Sequence, residues 1–365
     1  MRSKHSKKKL LWRDKPERTV GLDLGDRLSW YCLLNQHGEV TEEGRIATSE
    51  AALQLQFAHT SRLRIAMECG THSPWASRLL EQLGHQVIVA NAREVRSISA
   101  STSKNDRNDA EKLARLAHCD PNLLEPIRHR RRERQQDLNV LRVRDTLVRA
   151  RTMLINTVRG LAKSAGARLP RCASEHFPAA VPASLPATLT AASTPLLEQI
   201  AAMTAHIRTL DRQIEKLAHR YPEISLLRTA PGIGPIVAAA YVLTLDRPEN
   251  TPRSRSAGAF LGLRPRQDQS GDRDPERNIG KDGNTYLRKL LVQSAHYVLG
   301  PFGPDSALRR WGQKLAGSGG KRAKKRAIVA VARKLAVILH CMWRTGQCYQ
   351  PFPPLPPASR TPQAG

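Results

Sequence analysis

RTVGLDLGDRLSWYCLLNQHGEV, residues 18–40, decides the fold. Two apolar, β-prone runs flank a Gly-Asp turn signal, and His-Gly-Glu closes the second, so the stretch reads as two strands joined by a turn. Working outward, EEGRIATS (42–49) adds a third short strand and SEAALQLQFAHT (49–60) has helical spacing. RLRIAMECG (62–70) reads as a buried strand, PWASRLLEQLG (74–84) as a helix, HQVIVAN (85–91) as a further strand and DRNDAEKLARLAH (106–118) as a helix. Strands and helices in that order build an α/β layer over residues 18–125, the size of one domain.

Beyond it the pattern changes. Val140, Leu147, Leu154 and Leu161 recur every seven residues, accompanied by Leu141, Val148 and Ile155, with arginine on the other faces. A Pro/Ala-rich stretch at 165–195 interrupts the pattern. Leu196, Ile200, Met203, Ile207, Leu210, Ile214 and Leu217 then alternate steps of four and three. Residues 126–222 thus carry two long amphipathic helices with coiled-coil potential. They form an antiparallel hairpin, a dimerisation arm or two helices within one core. Residues 223–345 are mainly helical, with an apolar helix broken and restarted at PGIGP (231–235) and a last helix entered through KRAKKR (321–326). Residues 1–17 read as a solvated basic arm and 346–365 as a Pro-rich tail without order.

The formal net charge is +27 over 365 residues, with a pI near 10.7. Such an excess gathers anions, and a polyphosphate backbone is the commonest partner that uses it. A membrane surface ranks below, because no lipidation signal, apolar anchor, signal peptide or transmembrane run is present. The six cysteines are scattered without a CxxC pair, so they suggest free thiols in a reducing cytosol rather than a zinc or disulfide framework. The polyanion is expected inside the cell, at the nucleoid.

Four acids carry chemistry. Asp23 sits inside an apolar strand, Glu68 ends another, and Asp106 and Asp109 lie one helical turn apart in KNDRNDA. Crowding carboxylates to ~4 Å costs several kcal/mol per pair, so a cluster makes sense around Mg²⁺, or Mn²⁺, which take oxygen ligands and leave positions open for phosphate. Taken singly, Asp23 could cap a turn, and the Asp pair could begin a helix at its positive end.

Gly232 and Gly234 let main-chain N–H groups approach a phosphate, the helix-hairpin-helix arrangement; a Gly/Pro helix break is equally often only a turn. Ser270 is by itself a loop residue. Arg264, Arg266, Arg273, Arg277 and Lys281 crowd the same segment, where guanidinium groups could clamp a scissile phosphate and a hydroxyl could attack it.

GLDLG (21–25), AMECGTHSPWA (66–76), KNDRNDAEKLA (104–114), APGIGPIVA (230–238), FLGLRPRQDQSGD (260–272) and IGKDGNTYLRKLLVQSAHYVL (279–299) follow one another in the order of one family. Over residues 18–300 the chain resembles the DEDD-type insertion-sequence transposases, the IS-one-ten family of bridge-RNA-guided recombinases. The resemblance implies an RNase H-like (RuvC-like) N-terminal domain, a coiled-coil segment and a C-terminal transposase domain with a serine nucleophile. It implies that Asp23, Glu68, Asp106 and Asp109 hold the metal and that Ser270 forms a phosphoserine link with DNA. It also implies double-stranded DNA at element ends and target as substrate, a structured guide (bridge) RNA as partner, and a dimer or tetramer. The expected activity is strand cleavage and rejoining, with a water-using junction nuclease of RuvC type or a non-catalytic nucleic-acid-binding protein as alternatives.

Overall fold

The computed structural model describes residues 16–91, 105–251, 253–266, 277–281, 283–317 and 319–353. The chain divides into two compact units, Met1–His129 and Arg130–Gly365.

The first unit is a five-stranded mixed sheet. Its strands are β1 (Thr19–Asp23), β2 (Leu28–Leu34), β3 (Val40–Ala47), β4 (Arg64–Glu68) and β5 (Gln86–Ala90), in the spatial order β3-β2-β1-β4-β5. β1, β2 and β3 pair antiparallel, whereas β1, β4 and β5 run parallel. Short connections allow the antiparallel pairs. The parallel pairs need crossovers, and α1 (Glu50–Phe57) and α2 (Ser73–Gln82) supply them. Side chains alternate between faces. Val20, Leu22, Ile65 and Met67 bury against Leu53 and Phe57 of α1 and Ala76 and Leu80 of α2. Each such apolar side chain contributes roughly 1.5–3 kcal/mol when fully buried.

The opposite face carries small residues, and α3 (Asp106–Cys119) lies on it. A Cβ on Gly21 would come within 1.9 Å of the Ala110 carbonyl oxygen, so only glycine lets helix and strand approach this closely. Arg64 at the start of β4 donates to the carbonyl of Ala117 late in α3 at 3.1 Å. The helix therefore runs opposite to β1 and β4, and its first turn lies where those strands end.

The second unit opens with α4 (Arg132–Ser164), about 50 Å long by its rise per residue. The short α5 (Phe177–Ala180) follows, then α6 (Ala187–Arg220), which begins before the expected Leu196 and carries Pro195 on an exposed position within it. α4 and α6 form an antiparallel hairpin. Asp137 accepts from Arg220 at 3.0 Å, Arg144 pairs with Asp211, and Arg151 donates to Thr204 at 3.1 Å, each seven residues beyond the last on α4. The buried stripe of α4 includes Leu138, Leu141, Ile155, Val158 and Ala162. Leu161 of the expected heptad is exposed, whereas Leu141 and Ile155 among the accompanying positions are buried. Within 165–195, Phe177 and Val181 pack on Ile155, Val158, Leu197 and Ile200.

α7 (Pro222–Leu227), α8 (Pro235–Leu245), α9 (Ser254–Phe260), α10 (Thr285–Leu299), α11 (Ala307–Gly317) and α12 (Lys321–Thr345) complete the unit. α8 is buried from Ala238 to Leu245 and sits at the middle of the core. Residues 346–353, for which the sequence suggests no order, make contacts. Tyr349 donates its N–H to Thr229 at 3.0 Å, and Pro351 accepts from Ala307 at 2.9 Å. No helix among the described residues is long and apolar enough to cross a membrane.

Candidate active site

Asp23 and Glu68 each stand one residue beyond the paired Leu22 and Met67 of adjacent parallel strands. By the alternation of the pleat, both share a face with Gly21 and Ala66, the face that α3 covers. Asp106 and Asp109 occupy the first turn of α3, where Asn105 caps the helix by accepting from Arg107. Both acids lie where the helix dipole favours negative charge, so the local fold supports them with or without a ligand. Strand ends and helix start thus bring all four sequence-predicted acids to one edge of the sheet.

Asp23, Glu68 and Asp109 are half-buried and Asp106 is exposed. Lys112, one turn further along α3, pairs with Asp109 at 3.4 Å. Arg107 pairs with Glu43 of β3. Among the described residues no three His, Cys, Asp or Glu side chains converge tightly enough to hold a metal ion. In kind, however, the donor set is all carboxylate oxygen, which suits a hard divalent cation. Cys32, buried under α3, is no competing nucleophile, because burial pushes its thiol up to about 11.

Ser270 and Arg273 lie outside the described residues. The described residues before and after 267–276 are tied together by main-chain hydrogen bonds. Arg266 donates its N–H to Asn278 at 3.0 Å, Gly280 donates to Arg264 at 2.9 Å, and Lys281 to Gly262 at 3.1 Å. Arg264, Arg266, Arg277 and Lys281 are exposed. Lys281 adopts φ +58°, and a Cβ on Gly283 would meet the Phe260 carbonyl at 2.0 Å. Residues 262–266 and 277–281 are therefore held against each other.

The PGIGP turn joins α7 to α8. Gly232 has φ +75°, and its missing Cβ makes room for the carbonyl of Ser294, whereas Gly234 precedes the first turn of α8. Facing the turn across an open cleft are Gln293 and Tyr297 of α10. Lys112 and Tyr297 were not among the sequence candidates. The first is signalled by its spacing from Asp109, the second only by its place on the polar face of a helix.

A family model described as a transposase, of the DEDD and IS110 type, matches residues 20–165. A second, described as the transposase IS116/IS110/IS902 family, matches residues 224–309. A probable family 20 transposase of Pseudomonas aeruginosa is 32% identical over 341 residues, covering 91% of this chain and 98% of its own length. The transposase for insertion sequence element IS1111A of Coxiella burnetii is 26% identical over 340 residues, 91% of either chain. The transposase for insertion sequence element IS1328 of Yersinia enterocolitica is 30% identical over 287 residues, covering 77% of this chain and 83% of its own. These likenesses define a DNA-processing enzyme. The chain belongs to the IS116/IS110/IS902 family of insertion-sequence transposases.

Proposed function

We propose that the chain is a recombinase that cuts and rejoins DNA through a covalent phosphoserine at Ser270, with the carboxylates Asp23, Glu68, Asp106 and Asp109 forming its metal-binding half-site. The observation that carries the reading is the meeting of two strand ends and one helix start, all bearing acids, on one face of the sheet. The strand order β3-β2-β1-β4-β5, with its antiparallel and parallel halves, supports an RNase H-like (RuvC-like) domain over 18–125. The hairpin supports a coiled-coil segment over 126–222, and the α7-PGIGP-α8 unit supports a helix-hairpin-helix within 223–345.

A bound Mg²⁺ or Mn²⁺ supplies Lewis-acid stabilisation of charge on the phosphate oxygens. The chain's own groups do the rest. Asp23 and Glu68 come from the rigid sheet, so their spacing is fixed before substrate arrives. Arg264, Arg266, Arg273, Arg277 and Lys281 neutralise the phosphate, and the guanidinium groups orient it through paired N–H donors. The Ser270 hydroxyl attacks phosphorus, an O–P bond forms, and the 3′-oxygen leaves with a proton. The phosphoserine keeps the energy of the broken bond, so a new 3′-hydroxyl can reverse the step without ATP. Gly232 and Gly234 with the α8 N-terminus contact backbone phosphates of the DNA. The substrates are double-stranded DNA at element ends and target, the partner a structured guide RNA, and the working form a dimer or tetramer in the bacterial cytoplasm.

The test is to incubate the protein with Mg²⁺, its RNA and cognate DNA, denature, and look for protein-linked DNA. An adduct that disappears in Ser270→Ala is expected. Cleaved DNA without an adduct sinks the serine step in favour of water, and binding without cutting sinks turnover.

A further inference from the structure

The open cleft beside the PGIGP turn has a volume of about 450 Å³, within the range of small-molecule sites. Its walls include Arg228, Gly232, Gly234, Gln293, Ser294 and Tyr297. The two glycines have different reasons to be there. Gly232 is required by the fold, since its φ is +75° and a Cβ would press on the Ser294 carbonyl at 3.0 Å and the Tyr297 ring at 3.1 Å. Gly234 is required by nothing in the fold. Its φ of −82° and ψ of 178° suit any residue, and a Cβ there would meet no atom within 4 Å. It also stands at the N-cap of α8 without a side-chain cap, where Ser, Thr, Asp or Asn would accept an N–H of the first turn. The bare main chain leaves the positive end of α8 open to something that comes close.

Opposite it, Tyr297 is 46% exposed. The Ser294 hydroxyl is turned back to its own helix, donating to Leu290 at 3.2 Å, and Arg228 is braced by Glu215 at 2.6 Å. A phenol ring across from an uncapped helix start combines an anion cradle with an aromatic platform. Phosphate next to base is the chemistry that uses both.

We propose that this cleft holds one unpaired nucleotide of a DNA strand, with its phosphate at Gly234 and the α8 N-terminus and its base stacked on Tyr297. In an intact duplex the base faces are stacked on their neighbours and unavailable to a side chain. The site therefore selects strand that has been opened, as strand exchange requires. This inference rests on the reading of the PGIGP turn as a nucleic-acid contact and adds the state of the DNA it recognises.

The test is fluorescence anisotropy of the full-length protein with a labelled single strand and with the same strand in duplex, at one fixed salt concentration. Tyr297→Ala is expected to weaken single-strand binding by about tenfold or more and to leave duplex binding unchanged, while Tyr297→Phe keeps the parent affinity. Gly234→Ser is expected to fold as stably as the parent, because serine caps the helix, yet to lose single-strand affinity, because its hydroxyl takes the N–H groups meant for phosphate. Equal losses on both DNAs in Tyr297→Ala, or parent affinity in Gly234→Ser, overturn the proposal. The covalent adduct at Ser270 is read separately. A protein that shows the Tyr297 dependence but forms no adduct supports this site while refuting the serine step, and one that forms the adduct without the dependence does the reverse.

Discussion

The Arg64 guanidinium ties the start of β4 to the carbonyl of Ala117 at 3.1 Å, and its Nε donates to Gln86 of β5 at 2.6 Å. Ala117 lies in the last turn of α3, where carbonyls have no partner within the helix. Arg64 is 2% exposed, so this cation, fully inside the sheet, fixes the helix at the end far from the acids. Arg64→Met should lower stability by about 2–3 kcal/mol, the scale for losing charge-assisted bonds to buried acceptors, as read from the urea midpoint. An unchanged midpoint would mean that packing of Ala110 and Ala114 alone seats the helix.

Asp23→Asn, Glu68→Gln and Asp109→Asn remove charge while keeping shape. Each should leave the far-ultraviolet circular dichroism spectrum as it is. DNA cleavage should fall by about 10²–10³, the range for removing one group that stabilises transition-state charge. A variant that cuts at the parent rate takes its residue out of the half-site.

The sheet was legible because its two faces differ in kind. Val20 and Leu22 alternate with Gly21, Ile65 and Met67 with Ala66, and the period of two needs no tertiary information. The place of Glu68 was legible for the same reason, at the end of an apolar run, and that of Asp106 and Asp109 from their one-turn spacing at a helix start. Asp23, read inside an apolar strand, is instead the last residue of β1. The two long helices were read with the buried stripe of the first displaced, and their pairing was left open between a hairpin, a dimerisation arm and one core. Val140, Leu147, Leu154 and Leu161 form the cleaner apolar heptad, but the buried stripe includes Arg134, Asp137 and Arg151, polar residues that a hydrophobic pattern discards. Long side chains with internal partners can occupy such positions. The cleft at Tyr297 depends on the approach of α10 to a turn some sixty residues earlier, which no local pattern encodes.

Arg151 is the weak layer of that hairpin. It is buried, donates to Thr204, and its Nε has no hydrogen-bond partner. Burial pushes its guanidinium below the ordinary value. Thr204 keeps its own bond to the Ile200 carbonyl at 2.8 Å when the arginine is removed. Arg151→Met should therefore be neutral or stabilising by about 1 kcal/mol, seen as an unchanged or higher urea midpoint. A clear loss would show that Glu175 and Asp211, whose charges favour the cation, outweigh desolvation.

His340 makes the last prediction one of pH. It is fully buried on α12. The Pro248 carbonyl lies 3.0 Å from Nε2, so that nitrogen carries the hydrogen, and Nδ1 accepts from the Ser254 hydroxyl at 3.0 Å. A second proton would remove that acceptor and put charge where burial opposes it. The folded-state pKa is accordingly lowered from the ordinary 6.5, with burial the largest cause. The unfolded chain binds the proton more readily, so this contribution is fully present above pH 6.5 and is lost as pH falls from there through the folded value. His85 in the first unit is shifted in the same direction by burial. His340→Gln keeps a donor for Pro248 and an acceptor for Ser254 but cannot titrate. Urea titrations between pH 7 and pH 5 should show the parent losing stability with a slope that the variant reduces by up to about 1.4 kcal/mol per pH unit. Identical slopes in the two proteins would mean that His340 binds its proton as readily in the fold as in the unfolded chain, so that burial does not hold it neutral.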